Sequence, residues 1–269
     1  MASSILDEIL AAKRDEVTLL HQPAARRAIE TAALAAPPPR DFAGALRRAD
    51  GALAVISELK RRSPSKGDLA PDLDPAVTAK AYESGGAAAL SVLTDHAYFG
   101  GTIDDLRQAR DATALPALRK DFTIAEIQVY EARAIGADAL LLIVAAFGDD
   151  GYLRELHELA RDLGLAVLVE AHDAVEAERA LSCGATIVGV NSRSLHTFAE
   201  DLDSAVAIAS QLPADVIAVA ESAVRSPEDA AKVAAAGIDA VLVGEALVKA
   251  EDPAGLVRSI SANRVDGRR

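Results

Sequence analysis

The 269-residue sequence has no tryptophan, one methionine and one cysteine, and its aromatic residues amount to 3%. So few rings exclude a nucleic-acid surface built from aromatics stacked on bases among basic residues. The lone Cys183 excludes an internal disulfide framework and fits a reducing compartment. Bases are the minority: 28 Lys and Arg against 41 Asp and Glu leave a net charge of −13. Whole-surface attraction to nucleic acid or to an anionic membrane is therefore not expected. Long hydrophobic runs are missing too. The longest extends from Ala139 to Phe147, about half of what a membrane-spanning helix needs. The N-terminus carries acids where an export signal carries bases, so a soluble cytoplasmic protein is expected.

What is present is alanine, 59 of the 269 residues, so a large part, though less than half, of the 51% apolar content is small. At about 150 residues per domain, the length suits one large domain or two small ones. Residues 3 to about 33 read as one helix, with Ile5, Leu6, Ile9, Leu10, Val17 and Leu20 at helical spacing. Pro37, Pro38 and Pro39 then stop regular structure.

Beyond them, short apolar runs alternate with longer Ala-rich amphipathic stretches. Eight strands are predicted, at 54–59, 88–93, 117–120, 139–144, 165–170, 186–190, 216–220 and 240–243. Helices are predicted between them, at 75–83, 102–111, 124–135, 150–163, 174–181, 204–211 and 227–236. Pro75 and Pro227 suit first helical turns, and Gly136, Gly164, Gly184 and Gly237 suit helix ends. Continuous apolar strands alternating with helices imply a parallel sheet covered by helices. Eight units after residue 50 favour an α/β fold of the (β/α)8 TIM-barrel type, with residues 1–49 as a helical extension packed on a barrel of residues 50–269. The competing open sheet would carry a Gly-rich turn after its first strand, where this chain has Lys60-Arg-Arg-Ser-Pro64. The chain ends soon after the eighth unit, so no fused second enzyme is expected.

Barrel chemistry sits at the carboxyl ends of the strands. There the sequence offers Glu58, Lys60 and Ser63, then Lys120 and Asp121, Glu170, Asn191 and Arg193, Glu221 and Ser222, and Gly244 with Glu245. Glu58 and Lys60, two apart, project to one side and form either a working pair or an ion pair closing the mouth. Burial at the rim predicts a lowered pKa for Lys120 and a raised one for Glu170, unless they only reach solvent or cap a helix. Asn191 orients a hydroxyl or carboxylate, or starts an Asx turn. The segments around Ser222 and Gly244 suit phosphate held by backbone N–H groups, or are simple turns. His21, His96, His157, His172 and His196 lack metal-binding spacing, and no metal is expected. His172 reads as a capping or solvent-facing residue rather than a ligand, and Cys183 as a core thiol at a helix end. Tyr98-Phe99-Gly100-Gly101 is either a flap over an apolar substrate or a loop anchored by buried rings.

In order along the chain, Ser57-Glu-Leu-Lys-Arg-Arg-Ser-Pro-Ser65, Ser91-Val-Leu-Thr-Asp-His-Ala-Tyr-Phe-Gly-Gly101, Leu118-Arg-Lys-Asp-Phe122, Val169-Glu-Ala-His172, Val190-Asn-Ser-Arg193, Ala220-Glu-Ser222 and Val243-Gly-Glu245 resemble the indole-3-glycerol phosphate synthase family. The resemblance extends over about residues 3 to 260. It implies a lyase of tryptophan biosynthesis that uses neither metal nor cofactor. The implied reaction turns 1-(2-carboxyphenylamino)-1-deoxyribulose 5-phosphate into indole-3-glycerol phosphate, CO2 and water. By that resemblance Lys120 is the general acid of ring closure, Lys60 lies near the substrate carboxylate, either lysine serves the later proton transfers, and Glu170 is the acid–base group of dehydration. Glu58 and Asn191 orient the lysines and the ribulose hydroxyls, with Glu221 beside them. Ser63, Ser222 and the backbone at Ala223, Gly244 and Glu245 match the phosphate site, and Arg193 the anthranilate end. The implied partner is the small-molecule substrate alone, with no nucleic acid or membrane, and a monomer that self-associates weakly at most is expected. Ala223 departs from the glycine of many relatives, and Glu245-Ala246 from a Ser-Ser or Glu-Ser pair in some. A positive φ at Ala223 would cost about 1 kcal/mol. A phosphoribosylanthranilate isomerase fits the Glu58, Lys60 and Ser63 cluster poorly, and a non-catalytic phosphometabolite-binding barrel would tolerate Glu170→Gln.

Overall fold

A computed structural model describes residues 4–191, 193 and 201–267. Helix α1, Ile5–Leu20, starts at a capping box in which the Ser4 hydroxyl accepts from the Asp7 N–H and the Asp7 carboxylate accepts from Ser4 N. Helix α2, Pro23–Ala35, follows at once. The single helix expected over 3–33 is thus two, because Pro23 has no N–H to continue the α1 ladder and instead opens the next helix. A short α3, Phe42–Leu46, precedes the first strand.

Eight strands close into a parallel barrel: β1 Ala54–Leu59, β2 Ala89–Leu93, β3 Ala117–Lys120, β4 Ala139–Ile143, β5 Ala166–Ala171, β6 Ile187–Asn191, β7 Ile217–Glu221 and β8 Ala240–Val243. β1 pairs with both β2 and β8, which completes the ring. Predicted and observed strand ends agree within one residue.

Helices α4 Pro75–Gly85, α5 His96–Phe99, α6 Ile103–Asp111, α7 Glu126–Ala134, α8 Asp150–Asp162, α9 Ala174–Ser182, α10 Leu202–Ala209, α11 Pro227–Ala235, α12 Glu245–Lys249 and α13 Pro253–Ser261 follow in turn. Pro75 and Pro227 occupy first turns. Gly136, Gly164, Gly184 and Gly237 sit at positive φ just beyond helix ends. Cys183 caps α9 and is buried, as expected of a core thiol. Among the described residues no helix is long and apolar enough to cross a membrane.

Two apolar layers result from the period-two strand pattern. One lies between strands and helices and includes Val55, Val92, Val167 and Val188. The other fills the barrel with Ala54, Ile56, Leu118, Leu141, Leu168, Ile187, Val219 and Leu242. Phe42 and Leu46 of α3 join this inner layer beside Ala54 and Ala89, at the strand starts, and plug the amino-terminal end. The inward rows then continue in steps of two into polar residues. Ala54 and Ile56 lead to Glu58, Leu118 to Lys120, Leu168 to Glu170, Ile187 and Gly189 to Asn191, and Ile217 and Val219 to Glu221. The alternation that builds the core therefore aims these side chains at the carboxyl-terminal mouth.

Candidate active site

The mouth opens into a cavity of about 320 Å³. Its wall contains every candidate residue: Glu58, Lys60, Ser63, Lys120, Glu170, Asn191, Arg193, Glu221, Ser222, Ala223, Gly244 and Glu245. Ile5, Leu6 and Ile9 of α1 also line it, so the N-terminal helix roofs the mouth. Sequence reasoning treated that segment as packing alone. Its acidic residues and apolar stripe held no signal of what the stripe would cover.

Lys120 Nζ donates to Glu170 Oε2 at 2.7 Å and to Glu221 Oε2 at 3.0 Å. Across the cavity, Lys60 Nζ lies 2.8 Å from Glu58 Oε1, and Ser91 Oγ donates to Glu58 Oε2 at 3.3 Å. Asn191 Nδ2 donates to Glu170 Oε1 at 3.1 Å, while Asn191 Oδ1 accepts from Ser222 Oγ and from Arg193 N–H. Asn191 is thus locked in orientation by three partners. Arg193 Nη1 reaches Ser65 Oγ at 2.7 Å. Glu245 pairs with Lys249 and Lys66 at the rim.

Two glycines make room for this cluster. A Cβ on Gly189 would stand 2.0 Å from Glu221 Oε1, and one on Gly244 would stand 2.4 Å from Glu58 Oε1. Ser222 and Ala223 adopt φ of 63° and 57°, the left-handed region that side chains other than glycine's disfavour. The departure at Ala223 therefore does occupy a strained position, and the strain falls on a residue of the cavity wall.

The charge states correct two sequence expectations. Burial favours the neutral amine of Lys120, yet Glu170, Glu221 and Glu58 outweigh it, and the lysine is held above its ordinary pKa rather than lowered. Burial alone would raise Glu170, but Lys120 and His172 hold it well below the usual carboxylate range. The raised carboxyl is Glu221. Burial and the neighbouring Glu170 push it up to about 8 although Lys120 opposes them. Of two carboxylates on one lysine, one thus holds a proton at neutral pH. His172 also differs from expectation. It neither caps a helix with its ring nor faces solvent, but packs between Glu170 and Glu176.

Aromatic residues frame the remaining wall. Tyr98 and Phe99 belong to the one-turn helix α5, half-buried, with Phe99 against Phe122 at a centroid distance of 6.1 Å. Both Phe99 and Phe122 line the cavity. The Ser63 hydroxyl is buried and finds no hydrogen-bond partner among the described residues. That free donor at the cavity wall suits an oxygen-rich ligand. Nor do the described residues contain a group of three His, Cys, Asp or Glu placed to hold a metal ion. His196 and Ser192 lie outside the described residues.

Comparison with known proteins agrees with this geometry. Residues 6–260 match the family model described as indole-3-glycerol phosphate synthase. The chain is 49% identical over 258 residues to the protein of that name from a Nocardioides species, covering 96% of this chain and 98% of the relative. Its likeness to the protein of that name from Mycobacterium ulcerans is 48%, over 96% and 94% of the two chains. The one from Aromatoleum aromaticum is also 48% identical, over 96% and 99%. A solved thiamine phosphate pyrophosphorylase from Pyrococcus furiosus superposes with a TM-score of 0.59 at 19% identity. It covers 79% of this chain and 96% of its own, a likeness of fold alone.

Proposed function

The chain belongs to the indole-3-glycerol phosphate synthase family, a carboxy-lyase family of tryptophan biosynthesis, and from that premise we propose how the barrel mouth carries out the reaction. The substrate is 1-(2-carboxyphenylamino)-1-deoxyribulose 5-phosphate. Its aniline ring carbon attacks the ketone, CO2 leaves, and water is then lost to give indole-3-glycerol phosphate. The observation that carries the site assignment is the Lys120 ammonium held by Glu170 and Glu221 at the centre of the cavity.

Lys120 is the general acid. Ring closure builds negative charge on the ketone oxygen, and a preformed ammonium in a dry wall meets it without reorganisation. Its raised pKa keeps it loaded at neutral pH; as the bond forms, the proton passes to the oxygen and leaves an alcohol. Lys60, ion-paired with Glu58 at the opposite wall, attracts the substrate carboxylate before it departs as CO2. In dehydration the hydroxyl takes a proton from Lys60 and leaves as water. Glu170, ionised in the resting site, accepts the proton the ring gives up as the indole becomes aromatic, and the protonated Glu221 beside Lys120 keeps the pair from carrying two negative charges. Glu58 and Asn191 orient the lysines and the ribulose hydroxyls.

The phosphate is held by Ser63, Ser222 and the backbone of Ala223, Gly244 and Glu245, with Arg193 toward the anthranilate end. Ile5, Leu6, Ile9, Phe99 and Phe122 supply apolar cover for the aniline ring. Two lysines and an arginine at one mouth explain how a chain of net −13 holds a doubly anionic substrate. No metal or cofactor has a role in these steps. Residues 1–49 serve as a helical extension closing the barrel of residues 50–269. We read the chain as a monomer acting in the cytoplasm on a small molecule, without nucleic acid or membrane. Indole fluorescence on mixing purified protein with the substrate tests the proposal. Turnover that survives a chelator supports it, and no fluorescence rise at any substrate concentration defeats it.

A further inference from the structure

His172 follows the last residue of β5 and lies against the face of Glu170 turned away from Lys120. Its Nε2 is 3.3 Å from Glu170 Oε1, and its Nδ1 is 3.0 Å from Glu176 Oε2. The backbone N–H of His172 donates to the same Glu176 oxygen at 2.8 Å. Asp173 caps α9 by accepting from the N–H of Glu176, which fixes the first turn that carries Glu176. The ring, 13% exposed, is therefore held from both sides by groups that are themselves anchored.

A neutral imidazole has one donor nitrogen and one acceptor, whereas an ionised carboxylate only accepts. Here both ring nitrogens face carboxylate oxygens. Nδ1 hydrogen-bonds Glu176, whereas Nε2 stands 3.3 Å from Glu170 Oε1 as a close charge contact without hydrogen-bond alignment, so the protonated ring is attracted from both sides and a ring with its lone pair on Nε2 is not. The charged groups facing the ring are Glu170 on β5 and Glu176 on α9. The turn at Val144–Ala146, packed against α9, carries no titratable side chain, and Lys120 stands beyond Glu170 on its other oxygen.

We infer that His172, clamped by Glu176, is a positioning residue that acts through Glu170, holding that carboxylate turned toward the cavity as a proton acceptor. The arrangement gives Glu170 a cation on each side, Lys120 at Oε2 and His172 at Oε1. In the same direction, Glu170 and Glu176 hold the imidazole up to about 10 despite burial, which by itself would lower it. Unlike side chains touching the substrate, His172 is absent from the cavity wall, so its effect is on charge and orientation alone.

This inference rests on reading Glu170 as the acid–base group. It is tested by the pH profile of kcat in wild type, His172→Gln and Glu176→Gln, together with nitrogen-15 NMR of the histidine rings in the unliganded wild type. Losing the cation stabilises protonated Glu170, so the acid limb of the kcat profile should move up by about one pH unit or more in His172→Gln. KM should change by less than about twofold, because no substrate contact is removed. Glu176→Gln should move the limb the same way by less, and it provides the test if His172→Gln does not fold. The ring nitrogens of His172 should both stay protonated through about pH 8. Superimposable kcat profiles, or a His172 ring that is neutral at about pH 8, would overturn the inference. If the wild type fails to turn over the substrate, the reading of function falls, while the NMR measurement still decides the charge on the ring.

Discussion

Two lysines set among carboxylates, both held above their ordinary pKa, serve different ends. Lys120 ends β3 and points into the cavity; Lys13 descends from α1 and meets Asp121, the next residue along, at 2.9 Å. Lys13 also contacts Asp95 at 3.0 Å and Glu16 at 2.7 Å, and Asp121 is shared with Arg119, which reaches Glu131 at 2.6 Å. In that outer cluster burial opposes the charge on Lys13, but its carboxylates outweigh burial and hold the lysine well above its ordinary pKa, while Arg119 and Lys13 hold Asp121 below the usual range. Two cations, Lys13 and Arg119, are ringed there by four carboxylates, and the cluster fastens α1 to the ends of β2 and β3. The inner cluster has two carboxylates on one lysine, and one of them keeps a proton. Asp121 stays ionised under two cations and ties helix to strand, which makes the outer cluster a clamp; the raised carboxyl of Glu221 and the open cavity make the inner one capable of proton transfer.

Breaking each lysine in turn should separate the two roles. Lys120→Ala should reduce kcat/KM on the order of 10³-fold, as loss of a preorganised donor to a developing oxyanion does. Stability should fall little, because Glu221 already carries a proton and Glu170 keeps His172 and Asn191. A stopped-flow indole assay beside urea unfolding checks both. Lys13→Met should do the reverse, removing about 3–5 kcal/mol of stability by leaving Asp95 buried without this cation and Asp121 with Arg119 alone, with kcat reduced less than about tenfold. Should Lys13→Met prove as stable as wild type, the clamp is not what holds α1.

Gly189→Ala probes the inner cluster without touching a charge. The added methyl meets the flexible end of Glu221, so the fold should survive while kcat falls on the order of tenfold, the cost of moving one reacting group by an ångström or so. Thermal melting and kcat on the same sample measure this.

The pH dependence of stability sharpens the contrast further. Glu221 has a folded pKa of about 8 against an ordinary 4.5. The folded state therefore binds this proton more tightly than the unfolded one. The stability it contributes is complete below about pH 4.5 and is lost as pH rises toward 8. Wild type should lose stability across that window relative to Glu221→Gln, as urea unfolding at successive pH values would show; parallel curves would mean that Glu221 is ionised throughout. Smallest of all, Ala223→Gly should relieve the positive φ and add about 1 kcal/mol, read as a rise in melting temperature.

The barrel was largely legible because one physical rule, alternating burial along buried strands, writes itself into the sequence as short apolar runs. Strand ends such as Leu118-Arg-Lys120 announced which residues would stand at the mouth, and all candidates do line one cavity. Protonation was not legible. Lys120 was expected to be lowered and Glu170 raised because burial was the only effect a linear sequence exposes; the partners that reverse it arrive from β5, β7 and β1. His172 was read as capping or solvent-facing although Glu170 lies two residues away, because the sequence does not show that Glu176, one helix turn on, closes over the ring. The break at Pro23 was in plain view, yet the helical spacing on either side of it masked two helices as one.

By itself the sequence determined the period-two and helical rhythms, the eightfold repeat and the types of group at each strand end, because these depend on neighbours along the chain. Only closure of the barrel decided which carboxylates share a lysine, which of them keeps the proton and that α1 roofs the cavity. Those outcomes depend on distances between residues far apart in sequence, and Coulomb interactions between buried charges are set by such distances and by the loss of water around them.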